Sequence, residues 1–87
     1  PNPRAYLGLG IIKQKSRAYQ ESIRILSKGI EEFPDNEQLN LCLGVSYLNL
    51  GEYHKALSYF LRFRHSKDAA NLIESCYKAL GEKRGLE

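Results

Sequence analysis

An internal repeat of 34 residues constrains this chain more than any other feature. Leu9-Gly10 aligns with Leu43-Gly44, Tyr19 with Tyr53, Ser22-Ile23 with Ala56-Leu57, and Leu26 with Phe60. Small residues meet small residues and large apolar ones meet large. A unit repeated at such a period is one supersecondary element. It buries its apolar face by stacking on the next copy.

Within each unit the apolar spacing is helical. Leu39, Leu43, Tyr47 and Leu50 step along one helix face, and Tyr53, Ala56, Leu57, Phe60, Leu61 and Phe63 do the same. Ile23, Leu26, Ile30 and Phe33 give the matching stripe of the first unit. Pro34-Asp35-Asn36 breaks the chain and offers Asp35 or Asn36 as an N-cap. Gly51 reads as a helix end followed by a tight turn, Ser66 as the N-cap of a last helix, and Gly81 as its terminator. The expectation is an all-α chain of five helices, over 3–15, 18–33, 36–49, 52–64 and 68–80, with neighbours antiparallel. No strand signal and no low-complexity segment is found.

Composition narrows the classes. With 87 residues, 43% hydrophobic and 26% charged, the chain fits a single globular domain over 1–87. A chain of this size buries only about 60–65% of the surface its unfolded form exposes, so modest stability is expected. The longest apolar run, Leu7 to Ile12, is far short of the roughly 20 residues that span a bilayer, so no membrane insertion is expected. Nor does it read as a signal peptide, having neither a basic start nor a cleavage site. Two cysteines, Cys42 and Cys76, are too few for a disulfide framework and favour a reducing, cytoplasmic setting over secretion. The net charge of +3 suits solubility better than dedicated nucleic-acid binding. The absence of methionine points to a segment processed or excised from a larger protein, and Leu86-Glu87 reads as an expression-tag junction.

These residues resemble the tetratricopeptide repeat (TPR) family, whose 34-residue unit is a helix–turn–helix. Unit two, 37–66, carries the pattern at Leu43-Gly44, Tyr47, Gly51, Tyr53, Ala56 and Phe60. Unit one, 3–34, carries it at Tyr6, Leu9-Gly10, Tyr19, Leu26 and Pro34. Unit one departs from the pattern at Lys13 (Tyr in the family), Arg17 (Gly) and Ser22 (Ala). Ile73, Tyr77 and Gly81 have first-helix spacing, and 67–81 is expected to be a capping helix, a partial third unit. Tyr77 follows Tyr47 by 30 residues, so the link into this helix is four residues short. The resemblance implies two TPR units and a cap forming a short right-handed superhelix. Gly10, Gly44 and Ala56 would allow close helix approach, with Tyr47, Tyr53 and Phe60 filling the space between.

The resemblance also implies a concave groove lined by the first helix of each repeat, where a partner peptide or helix would bind. Its positions here are Arg4, Leu7, Ile11, Gln14 and Lys15 in unit one, and Gln38, Leu41, Val45, Leu48 and Asn49 in unit two. The last helix adds Asp68, Asn71, Ser75 and Lys78. Leu7, Ile11, Leu41, Val45 and Leu48 form an apolar strip. Burying such side chains is worth about 1.5–3 kcal/mol each, so a cover is expected. A partner segment, neighbouring segments of a parent protein and a second copy of the chain are all candidates. Some TPR domains clamp a chaperone's terminal carboxylate with basic and amide side chains. The matching positions here are Leu7, Ile11 and Cys42, so that activity is not expected.

No chemistry is expected of the chain. His54 and His65 lack ligand partners at metal-binding spacing. Glu31, Glu32 and Asp35 do not form an acid/base pair across a cleft. There is neither a nucleophile elbow nor a phosphate loop, since Gly8 and Gly10 fall inside a helix. The basic clusters Lys13, Lys15, Arg17 and Arg62, Arg64, His65, Lys67 read as solvated faces, because the nearby aromatics Tyr19, Phe60 and Phe63 lie on the core stripe. Cys42 and Cys76 read as packed thiols. The sequence therefore points to a non-enzymatic interaction module without metal or cofactor. The alternative is a structural or self-associating segment of a longer array or multidomain protein, for example appended to an enzyme. Nucleic-acid binding ranks last.

Overall fold

The computed structural model describes residues 2–84, with side chains as far as Gly81; Leu86-Glu87 lies outside the described residues. The described chain is all-helical: α1 (Pro3–Lys15), α2 (Tyr19–Glu32), α3 (Glu37–Asn49), α4 (Tyr53–Phe60), a 3₁₀ turn (Leu61–Phe63) and α5 (Lys67–Arg84). Each helix packs on the next, and α3 also lies beside α1 and α5.

The repeat in the sequence is a repeat in the backbone. The Asn2 side chain accepts from the Ala5 amide to start α1, and 34 residues later Asn36 accepts from Leu39 to start α3. Each satisfies one of the donors that a helix start leaves without an internal partner. The caps that end α1 and α3, Ser16 and Leu50, share nearly the same backbone angles. Arg17 and Gly51, one repeat apart, both turn through positive φ, at 62° and 79°. The entries to α2 and α4, at Ala18 and Glu52, agree within a few degrees. Close approach recurs as well. A Cβ added at Gly10 would lie 2.5 Å from Leu26, and one at Gly44 would lie 2.3 Å from Phe60. Those contacts explain why a glycine faces a large apolar residue in both pairs.

The spacing then shortens. α4 gives way to the 3₁₀ turn after Phe60, and Ser66 caps α5 by accepting from the Ala69 amide. Ser66 follows Asn36 by 30 residues, the four-residue deficit expected from Tyr47 and Tyr77. Ser66 also donates to Glu37 at the start of α3. Gly81 does not end α5. The helix runs through it to Arg84. Helical hydrogen bonding prevails over the modest cost of an internal glycine.

Two apolar clusters form the core. One joins Leu26, Leu39 and Leu43 between α2 and α3. The other joins Leu41, Ala56, Leu57, Phe60, Ala69 and Cys76 between α3, α4 and α5. Gly29 lets α2 approach both neighbours, since a Cβ there would meet Tyr6 of α1 and Leu39 of α3. At its outer edge α1 is anchored by Tyr6, whose phenol donates to Glu32 of α2.

Candidate functional site

The helices α1, α3 and α5 lie side by side, so residues equivalent in the repeat fall into rows across them. One row is Arg4, Gln38 and Asp68, the next Leu7, Leu41 and Asn71, then Ile11, Val45 and Ser75, and then Gln14, Leu48 and Lys78. The face is apolar on α1 and α3 and becomes polar on α5. Arg4, Lys15, Gln38, Asn49, Asn71 and Lys78 are exposed. Ile11 is 36% exposed, while Leu7, Val45 and Leu48 are half-buried.

Two of the expected lining residues serve the interior instead. Leu41 is buried against Ala56, Leu57, Phe60 and Ala69, so the strip is shorter than its sequence suggests. Ala69 and Cys76 of α5 belong to the same apolar cluster as Leu41. Gln14 turns inward. Its amide donates to the Cys42 carbonyl and to Ser46 Oγ, each at 2.8 Å. Ser22 Oγ donates to the Gly10 carbonyl at 3.0 Å. Its single proton is thereby used, so in the 2.9 Å contact between the two hydroxyls Ser46 is the donor. The chain Gln14–Ser46–Ser22–Gly10 links α1, α2 and α3, and no buried side-chain polar atom among the described residues lacks a partner.

The second junction, between α3, α4 and α5, has Leu48, Ala56 and Cys76 at the three equivalent positions. One junction is polar and hydrogen-bonded; the other is apolar. Ser22 departs from the repeat pattern as part of this set. Sequence spacing alone did not find it, although the signal was present: Gln14, Ser22 and Ser46 are the three polar replacements at three equivalent positions.

Two basic residues outside these rows, Lys13 and Arg62, are committed locally. Lys13 pairs with Glu21 at 2.8 Å, and its ammonium holds that carboxyl below the usual range. Arg62 reaches the α2–α3 turn. It donates to buried Asn40 at 2.9 Å, to the Pro34 carbonyl, and to Asp35 at 3.3 Å. Its guanidinium also lies 5.5 Å from the Phe63 ring centre. Burial pushes the thiols of Cys42 and Cys76 up, and the two are not bonded to each other. Among the described residues no three His, Cys, Asp or Glu side chains come together in a metal-holding group. No helix there is long and apolar enough to cross a membrane.

Comparison with known proteins gives no matching family model and no matching curated relative.

Proposed function

We propose that the chain is a non-enzymatic protein–protein interaction module of TPR type, holding a partner's extended segment or helix on the face of α1, α3 and α5. The observation that carries this reading is the row arrangement of that face. Ile11, with half-buried Leu7, Val45 and Leu48, forms an apolar floor. Around it stand the amides Gln38, Asn49 and Asn71 and the cations Arg4, Lys15 and Lys78. Side-chain amides can donate to and accept from an extended backbone, and the floor takes alternate apolar side chains. The nucleic-acid alternative has less support, because Arg62 is spent on internal contacts.

The reading is tested by selecting random displayed peptides against the chain and measuring the winners by calorimetry. Binding is expected to fall at least tenfold in Ile11→Asp and severalfold in Asn49→Ala, with helicity unchanged. Peptides indifferent to both changes would overturn it. A concentration-dependent dimer dispersed by Ile11→Asp would replace it with self-association.

A further inference from the structure

A second apolar surface lies on another side of α1. Ala5, Gly8, Leu9 and Ile12 form a stripe at helical spacing, with Leu9 51% and Ile12 59% exposed. Apart from the adjoining backbone of α1 itself, no described residue lies within 4 Å of where a Gly8 side chain would begin. The repeat identifies what such a stripe does elsewhere. Its equivalents on α3 are Leu39, Cys42, Leu43 and Ser46, and on α5 Ala69, Leu72, Ile73 and Cys76. On α3 the stripe meets α2, through the cluster in which Ile23, Leu26, Ile30 and Phe33 take part. On α5 it meets α4, through Leu57 and Phe60. The same face is thus closed by a helix twice and stands open once.

Charge selects the occupant. α1 carries Arg4, Lys13 and Lys15 and no carboxylate. Lys13 is paired with Glu21, whereas Arg4 and Lys15, along one flank of the stripe, are exposed and make no ion pair among the described residues. Two α1 helices face to face would oppose like charges, which disfavours a second copy. We propose that the Ala5–Gly8–Leu9–Ile12 face docks an acidic amphipathic helix of a partner protein, with apolar residues spaced as in Ile23, Leu26, Ile30 and Phe33 and carboxylates against Arg4 and Lys15. This surface adjoins the face of α1, α3 and α5, with Arg4 and Lys15 on the border between the two.

The probe is a labelled peptide with the sequence of residues 19–34, which already has that apolar spacing and more Glu than basic residues. A staple on its polar side keeps it helical, since an isolated helix of this length is marginal in water. Anisotropy titration with the full chain is expected to show saturable binding that weakens severalfold from low to high salt. Ile12→Asp and Leu9→Asp are expected to lower affinity at least tenfold while circular dichroism stays unchanged, as both positions are exposed. Lys15→Glu, which leaves the stripe intact, is expected to weaken the acidic peptide and to favour one with its Glu31 and Glu32 equivalents changed to Lys. Absence of saturable binding, or equal binding of the two peptides by the unmodified chain, overturns the proposal. A dimer dispersed by Ile12→Asp would assign the face to a second copy and overturn it too.

Discussion

Ser46 donates its hydroxyl proton to Ser22 across 2.9 Å, at a point where neither side chain meets solvent. The contact is one step in a set in which each donor's target is fixed by the next. Gln14 supplies Ser46, and Ser22 supplies the Gly10 carbonyl. Three helices are thereby held in one register. A deletion anywhere in such a chain strands a buried polar group, whereas removal of every member together strands few.

Ser22→Ala, which installs the residue found at Ala56, is expected to destabilise the chain by about 1–3 kcal/mol. The triple change Gln14→Leu, Ser22→Ala and Ser46→Cys copies the apolar junction and is expected to lie within about 1 kcal/mol of the parent. Urea unfolding of the parent, Ser22→Ala and the triple variant measures both. A Ser22→Ala variant as stable as the parent would show that the hydroxyl chain contributes nothing.

Gly44→Ala places a methyl 2.3 Å from the rigid Phe60 ring and is expected to cost about 1–3 kcal/mol. Gly81→Ala, inside α5 where an added Cβ meets no neighbour among the described residues, is expected to gain up to about 1 kcal/mol from helix propensity. Thermal melts of the two variants should move in opposite directions.

Arg17 holds a left-handed backbone that glycine adopts without strain, as Gly51 does one repeat later. Arg17→Gly is expected to stabilise by up to about 1 kcal/mol, and Gly51→Ala to destabilise by about as much. Chemical denaturation midpoints decide the point; a fall in Arg17→Gly would show that its side chain contributes more than its strain costs.

The Glu32 carboxylate accepts the Tyr6 phenol proton and, with partial burial, raises that phenol above its ordinary value of 10.0. A group whose folded pKa is raised contributes stability below its unfolded pKa and loses it as pH climbs through the folded one. The advantage of the parent over Tyr6→Phe is therefore expected to be full near about pH 8 and smaller near about pH 11. A gap of constant size in urea melts would rule the bond out as its source.

Burial disfavours the thiolate at Cys42 and Cys76. Both are expected to react with a disulfide reagent near about pH 8 far more slowly than a free thiol, whose pKa is about 8.5. Denaturant should restore the ordinary rate. Rapid native labelling of fully buried Cys76 would contradict its packing.

Much of the fold was legible because the repeat repeats physical requirements. An amide-capped start at Asn36, a positive-φ turn at Gly51 and a glycine against Phe60 each follow from local chemistry that spacing exposes. The limits of the groove were less legible. Leu41 and Ile11 occupy neighbouring rows of the repeat, yet Leu41 is sealed by α5 and Ile11 is not. That difference lies in tertiary packing, which spacing along the chain does not expose. Gln14 was misplaced for a related reason. A polar residue on an interaction face and one satisfied inside a junction look alike until their partners, Ser22 and Ser46, are placed beside them.

The unlike junctions bear on the order in which the chain assembles. Leu48, Ala56 and Cys76 gain from contact as soon as they are roughly together, because apolar attraction has no direction. Gln14, Ser22 and Ser46 gain only once donors and acceptors are aligned, and until then they lose water without return. The C-terminal helices are thus expected to collapse into a nucleus and the N-terminal pair to dock late. Substitutions at Ala56 should then slow folding, while those at Ser22 should chiefly hasten unfolding.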